Sequence, residues 1–229
     1  KEEKAEQITK EEAERKAREE EENEIVGYRG TPIIKREMEV LEELEKKVRD
    51  KISIVSGKDD FEDVLFGVII KDNHVVGLTI CQKGLTILPE TIGKLTALTI
   101  LGLSGNKFTT LPDSIGQLTA LKELYLTENK LTELPDTIGQ LTSLETLDLG
   151  YNKLTSLPET ITLLKSLKEL SLRNNQLTSL PETIGQLTEL TRLDLGYNKL
   201  TELPDTIGQL TELKDMELSW NHLTTLPET

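Results

Sequence analysis

The side chains that could act as nucleophiles, general bases or metal ligands are few and far apart. The chain has two histidines, His74 and His222, and one cysteine, Cys81. About six periods of the repeat described below separate the two histidines, roughly 30 Å at one strand spacing per period, so they cannot share a site. No Gly-rich phosphate loop, HExxH or CxxC pattern accompanies them. The sequence therefore predicts no catalytic residue, no cofactor and no enzymatic activity.

The acidic side chains form one pattern that could hold a metal ion. Asp148, Asp194 and Glu217 occupy equivalent positions of a 23-residue period, and Ser171 occupies the position between the first two. Only Asp194 and Glu217 fall in neighbouring periods. Two carboxylates on an open surface are too few for a calcium ion, which takes six to eight oxygen ligands. We therefore predict no metal site in this column and expect its carboxylates to be solvated.

The 23-residue period decides where all of these side chains lie. Its proline recurs without insertion in seven successive periods, at Pro89, Pro112, Pro135, Pro158, Pro181, Pro204 and Pro227. A fixed period of this length predicts a solenoid, in which every period forms one supersecondary unit that packs on its neighbours.

Each period divides into a strand and a short turn. In Leu144–Leu164, LETLDLGYNKLTSLPETITLL, the alternation of Leu147 and Leu149 predicts a strand with Asp148 facing outward. The LPxxIxxL half has helical spacing, and Pro158 suits the first helical position. Glycine follows the isoleucine in most periods and limits the helix to a 3₁₀-like turn. We predict an α/β solenoid with seven short parallel strands on its concave face and slim turns on its convex face.

An asparagine also recurs every 23 residues, and we predict a structural role for it. It points inward, where an unpaired amide costs about 1–3 kcal/mol, so its side chain must bond backbone groups of its own and adjacent coils. The members of this ladder are Asn106, Asn129, Asn152, Asn175, Asn198 and Asn221.

Over residues 75–229 these periods resemble the leucine-rich repeats. The 23-residue unit with LPxxIxxL is similar to the intracellular class found in Ras suppressor protein, the Scribble/Erbin group and plant Ras-group repeat proteins. The resemblance implies a curved parallel sheet, a protein-binding scaffold in the cytoplasm, and a small Ras-like GTPase as a candidate partner. The first period departs from the pattern because Lys83 stands at the asparagine position, so we expect that coil to be part of a cap.

The chain before the repeats is expected to form two further segments. Residues 1–26 are almost entirely charged up to residue 24, which predicts a solvent-exposed helix. Residues 27–74 are expected to cap the hydrophobic stack with an amphipathic helix over 33–50 and the first strand of a hairpin that turns at Lys71–Asn73. The solenoid then occupies 75–229 in about seven coils, the last of them incomplete.

The residues that vary between periods are the candidates for recognition. They fall between the strand leucines, just before the asparagine, or beside these positions on the same face. Several are Tyr or Trp, which are frequent anchors of protein interfaces. An alternative is that the aromatic rings merely pack across the asparagine turn. The predicted partner-binding residues are Tyr125, Asp148, Tyr151, Arg173, Arg192, Asp194, Tyr197, Glu217 and Trp220.

Charge and cysteine content narrow the classes of partner. A net charge of −14 argues against nucleic acid and anionic membrane surfaces, which attract basic proteins. No apolar run reaches transmembrane length, and the single Cys81 allows no internal disulfide, which favours a reducing compartment. We expect a monomer that binds a protein partner. The alternative is a self-assembling protein that oligomerises through the N-terminal helix or the open C-terminal coil.

Overall fold

The computed structural model describes residues 2–58 and 64–227, with side chains from residue 11 onward. The first elements are helix α1 (Glu2–Glu22), strands β1 (Ile25–Tyr28) and β2 (Thr31–Ile34), helix α2 (Lys35–Val48) and strand β3 (Ser53–Val55). β1 and β2 form a separate antiparallel hairpin. Neither α1 nor α2 combines the length and apolarity needed to cross a membrane.

A single sheet of nine strands runs through the rest of the described chain. It begins with β3 and continues through β4 (Phe66–Lys71), β5 (His74–Ile80), β6 (Ile100–Gly102), β7 (Glu123–Tyr125), β8 (Thr146–Asp148), β9 (Glu169–Ser171), β10 (Arg192–Asp194) and β11 (Asp215–Glu217). From β5 to β11 all neighbours are parallel, as predicted. β4 pairs with β5 in antiparallel fashion.

The other side of each coil is a short 3₁₀ helix. A proline is the N-cap of five of these six helices, one residue before the first helical position at which Pro158 was predicted. Its backbone is extended, and its carbonyl oxygen accepts the first hydrogen bond of the turn from the isoleucine three residues later. The prediction of slim turns opposite the strands is confirmed. The six helices are Glu90–Lys94, Asp113–Gln117, Asp136–Gln140, Glu159–Leu163, Ile184–Gln186 and Asp205–Gln209.

Glycine is needed in these turns because successive coils touch there. A Cβ atom on Gly185 would overlap the carbonyl oxygen of Thr206, and one on Gly139 would overlap that of Thr160. Thr162 stands at the glycine position of its coil, and the 3₁₀ helix of the next coil is shortened to three residues.

The strand and turn leucines of successive coils form one continuous core. Leu124, Leu147 and Ile138 are fully buried, and Leu124 and Leu147 are partners in adjacent strands. Full burial of one such side chain contributes about 1.5–3 kcal/mol, so the repeated frame supplies most of the driving force for stacking.

The asparagine side chains join each coil to its predecessor. Asn152 Oδ1 accepts a hydrogen bond from the backbone N–H of Leu131 at 3.0 Å, and its Nδ2 donates to the carbonyl oxygens of Leu126 and Leu149, each at 3.0 Å. Asn106, Asn129, Asn175, Asn198 and Asn221 bond equivalent backbone groups of their coils. Each amide therefore ties two coils together.

Helix α2 packs across the N-terminal end of the stack. It buries Leu41 and Leu44, and its Glu37 is fully buried. Glu37 accepts a hydrogen bond from the Val75 N–H at 2.7 Å and pairs with His74 Nδ1 at 2.8 Å. One carboxylate thus attaches the helix to the first strand of the parallel series.

The N-terminal segments differ in detail from the predicted ones. The helix expected within 1–26 ends at Glu22, because the β-branched Ile25 and Val26 pair with Ile34 and Ile33 in the β1–β2 hairpin. The helix expected over 33–50 spans 35–48, and β3 was not predicted. At the cap, Lys83 Nζ bonds Asp50 at 2.9 Å. The final residues of the predicted solenoid, 228–229, lie outside the described chain.

Candidate functional site

One stripe of variable side chains crosses the strand face of the sheet. Register pairing places its members side by side on β7 to β11, at a strand spacing of about 4.8 Å. The stripe consists of Tyr125, Asp148, Ser171, Asp194 and Glu217.

A second row lies beside this stripe, and we call it the aromatic ridge: Tyr151, Arg173, Tyr197 and Trp220. The exposed fractions of the three aromatic residues are 47%, 40% and 71%. Tyr197 and Trp220 stack with ring centroids 5.3 Å apart and an interplanar angle of 15°. The guanidinium carbon of Arg173 lies 4.6 Å from the Tyr197 centroid. Tyr197 and Trp220 therefore contact each other and solvent, and none of the three aromatic residues is buried.

The ridge aromatics occupy strained backbone positions. Tyr151, Tyr197 and Trp220 have φ values of 54°, 57° and 58°, in the left-handed region that costs an L-residue roughly 1–2 kcal/mol. The equivalent position of another coil holds Gly105, whose φ is 70°. Glycine or asparagine suits this conformation better than tyrosine or tryptophan, so local backbone preference does not explain the aromatic rings.

Backbone amides hold the carboxylates of the stripe in fixed orientations. The N–H groups of Gly150 and Gly196 each donate to Oδ1 of the aspartate two residues earlier, at 2.9 Å. The N–H of Ser219 donates to Glu217 at 2.7 Å, and hydrogen bonds from Ser219 lower the pKa of Glu217. These carboxylates are therefore preoriented acceptors on the sheet surface.

Arg173 links the two rows. Its hydrogen bond with Tyr151 is the main cause that raises its pKa. Its guanidinium also lies over Tyr197 and 3.9 Å from an Asp194 oxygen. One guanidinium thus contacts a ring of the ridge and a carboxylate of the stripe.

A cavity of about 400 Å³ opens on the strand face. We call it the acidic cavity, because the carboxylates of Glu123, Asp148, Glu169 and Asp194 line it. Its other lining residues are Lys58, Tyr125, Thr146, Leu147, Leu170, Ser171 and Arg192. The structure therefore brings Tyr125, Asp148, Arg192 and Asp194 together around one opening, whereas the aromatic ridge lies beside it.

A neighbouring cavity of about 330 Å³ is more apolar. It shares Lys58, Glu123 and Tyr125 with the acidic cavity and adds, among others, Leu65 and Ile100. Lys58 Nζ bonds Glu123 at 2.6 Å, across 65 positions of sequence. Sequence reasoning missed Lys58 and Leu65, because no local pattern shows that these two residues line the strand face, and it missed Glu123 because the partner of this carboxylate is Lys58.

The histidines and the cysteine contribute no further site. His74 is engaged by Glu37 at the cap, whereas the His222 N–H bonds the Leu200 carbonyl in the last described coil. Cys81 lies near Thr79 Oγ1 at 3.3 Å. In the described part of the chain, no group of three or more His, Cys, Asp or Glu residues could hold a metal ion.

Family models of leucine-rich repeats match most of the strand-and-turn region. A leucine-rich repeat region matches residues 69–153, and two further leucine-rich repeat models match residues 143–164 and 165–223. The matches together run from the β4–β5 hairpin to the last described coil. A search among curated proteins found no match.

Two solved structures illustrate the similarity. A leucine-rich-repeat protein of Leptospira interrogans is 38% identical, with a TM-score of 0.50, over 63% of this chain and 43% of its own. The ectodomain of the plant receptor kinase GASSHO1/SCHENGEN3 from Arabidopsis thaliana, in complex with Casparian strip integrity factor 2, is 24% identical, with a TM-score of 0.61, over 76% of this chain and 24% of its own. The second likeness concerns the fold alone. This chain spans less than half the length of either.

Proposed function

This chain belongs to the leucine-rich-repeat family, and from that premise we propose that it is a non-enzymatic module that binds a protein partner through the strand face of its sheet. Proteins of this family generally mediate protein–protein interaction, and curved arrays of this kind present an extended concave surface to their ligands. The proposed contact surface consists of the stripe and the aromatic ridge.

The exposed aromatic ridge is the observation that carries the proposal. Tyr, Trp and Arg are enriched among the residues that dominate binding energy at protein interfaces. Here Tyr197, Trp220 and Arg173 stack together while a large part of Trp220 stays accessible.

The test is a comparison of partner capture by the wild type and the triple variant Tyr151→Ala, Tyr197→Ala, Trp220→Ala. We expect the triple variant to lose a partner that the wild type retains, because truncation of a central anchor typically costs about 2 kcal/mol or more. Circular dichroism melts of both proteins first establish that they fold.

A matched control removes exposed apolar side chains elsewhere. Ile87 and Leu163 are large, exposed hydrophobic residues outside the stripe and the ridge. The variant Ile87→Ala, Leu163→Ala should capture the partner as the wild type does. Equal capture by the wild type and the triple ridge variant would contradict the proposal.

A small Ras-like GTPase is the candidate partner within this proposal. The candidate rests on the resemblance of the LPxxIxxL unit to the intracellular Ras-linked class, and so does the proposed cytoplasmic location. Titration of the chain with purified Ras-like GTPases, loaded with GDP or with a GTP analogue, tests it directly. Binding that depends on the bound nucleotide and on the aromatic ridge supports this partner class. If none of the GTPases tested binds, a Ras-like GTPase is not the partner.

Light scattering on the same samples separates the binding module from a self-assembling protein. A monomeric binding module is expected to show the mass of one chain. A higher mass that falls when residues 1–24 are deleted would instead assign function to assembly through α1.

A further inference from the structure

We propose that the partner presents an extended basic segment, whose lysine or arginine side chains bind the carboxylates of the acidic cavity and the rings of the aromatic ridge. This inference rests on the proposed function and names the chemistry of the segment that is recognised. The support is the distribution of charge on the strand face, the repetition of a carboxylate with an aromatic ring, and one guanidinium that the chain itself holds in this environment.

The basic side chains of the strand face are already paired with carboxylates of the same chain. Lys58 pairs with Glu123 at 2.6 Å. Arg192, whose strand neighbours are Glu169 and Asp215, pairs with Asp215 at 3.4 Å. At the margin of the sheet, Lys122 and Lys168 both pair with Glu145, at 3.4 Å and 2.6 Å.

Two carboxylates of the acidic cavity are left without a cation. Within the described residues, no basic side chain forms an ion pair with Asp148 or Glu169. Asp148 has one oxygen fixed by the Gly150 N–H, and its second oxygen remains available to accept. A cavity of about 400 Å³ is of the size that ordinarily holds a small ligand, so it has room for a lysine or arginine side chain.

A carboxylate and an aromatic ring recur together at the same two positions of a coil. Asp148 precedes Tyr151 by three residues, and the same spacing relates Asp194 to Tyr197 and Glu217 to Trp220. Cations interact favourably with the faces of such rings, tryptophan most strongly, and with the adjacent carboxylates. The repeated pair therefore offers a row of cation-binding positions along the sheet, and the chain's own Arg173 already occupies the one formed by Asp194 and Tyr197.

The chain's own Arg173 shows how a guanidinium is held here. It lies over Tyr197 and approaches Asp194 at 3.9 Å. Trp220 follows in the next coil, three residues after Glu217, and is 71% exposed. A basic side chain from a partner would extend the same stacked arrangement.

The negative charge of the chain also disfavours two other occupants of this face, a second copy of the chain and an acidic segment of another protein. A second copy of this chain carries the same net charge of −14, so apposition of two copies is opposed by like-charge repulsion. An acidic segment meets the same opposition. A basic segment of another protein is the occupant whose charge complements this face.

The experiment measures binding of a labelled synthetic peptide in which arginine alternates with serine, by fluorescence anisotropy. A second peptide has glutamate in place of arginine. The variant Asp148→Asn, Glu169→Gln removes the two unpaired charges, while the introduced asparagine keeps a side-chain oxygen that can accept from the Gly150 N–H. We expect this variant to bind the arginine peptide about tenfold more weakly, and the glutamate peptide to bind neither protein.

The matched control is Glu133→Gln, Glu202→Gln, which changes the net charge equally at exposed positions outside the cavity. This control should bind the arginine peptide with wild-type affinity. In the wild type, the fluorescence of Trp220, the single tryptophan, should change when the peptide binds. Equal weakening in both variants, no binding of the arginine peptide, or equally tight binding of free arginine or spermine would each overturn the inference. The proposed function has a separate readout: a natural partner lost by the ridge triple variant but retained by Asp148→Asn, Glu169→Gln would leave it standing.

Discussion

At the residue scale, the ladder asparagine and the residue before it have different roles: the asparagine holds the coils together, and the preceding residue faces solvent in the proposed contact surface. Asn198 bonds Leu177, Leu172 and Leu195 and so fixes the backbone that places Tyr197 at positive φ. The amide of the asparagine stabilises the packing of the coils. The preceding side chain can vary because it is not part of these hydrogen bonds. This is why the position before the asparagine can hold glycine in one coil and tyrosine or tryptophan in others.

Replacement of Asn152 by alanine is predicted to destabilise the protein by about 1–3 kcal/mol, because it leaves the Leu131 N–H unsatisfied in the core. The Leu126 and Leu149 carbonyls also lose a bond but keep those from Asn129 and Asn175. Thermal unfolding followed by circular dichroism measures the loss. Asn221→Ala is the control, since Asn221 is only partly buried, and its loss should be smaller. An unchanged melting temperature for Asn152→Ala would show that the asparagine ladder does not stabilise the stack.

At the element scale, local periodicity explains which parts of the fold could be predicted. Leu147 with Leu149, and the LPxxIxxL turn, repeat the same short-range signal in every coil, so strands, turns and parallel register followed from the sequence. β3 carries no such signal, since its three residues pair in parallel with Gly67, Val68 and Ile69 of β4. The Lys58–Glu123 contact likewise joins residues 65 positions apart, so no local pattern predicts it.

The same distinction applies to the candidate site. The residues of the stripe and the aromatic ridge could be placed on one face because their spacing is fixed by the repeat. Their pairing could not be predicted, since the choice of Arg192 for Asp215 over Glu169 depends on side-chain geometry. The acidic cavity is a consequence of those choices.

The attachment of α2 to the sheet is predicted to depend on Glu37. Glu37→Ala removes the acceptor of the Val75 N–H, and a buried donor left unsatisfied costs about 1–3 kcal/mol. Hydrogen exchange should therefore show faster exchange at Val75, while amides of the later coils, such as Leu193, keep their protection. Glu39→Ala, on an exposed part of the same helix, is the control. Unaltered protection at Val75 would show that the helix does not rely on this carboxylate.

At the scale of the whole molecule, the core residues repeat from coil to coil, whereas the residues on the strand face differ. The leucine, proline and asparagine positions make the coils nearly equivalent, whereas the aromatic ridge occupies only the later coils, from Tyr151 to Trp220. In repeat proteins each unit contacts mainly its neighbours, so surface residues can change in one coil without disturbing the others. The repeated residues therefore stabilise the stack, and we propose that the variable ones recognise the partner.

The most direct measurement of the central claim is the fluorine NMR signal of Trp220 in protein labelled with fluorotryptophan, with and without a saturating amount of the captured partner. The chain has one tryptophan, so the signal is unambiguous, and its ring is 71% exposed when free. We expect a shifted or broadened signal that is protected from solvent in the complex. A signal unchanged at saturation would contradict recognition through the strand face.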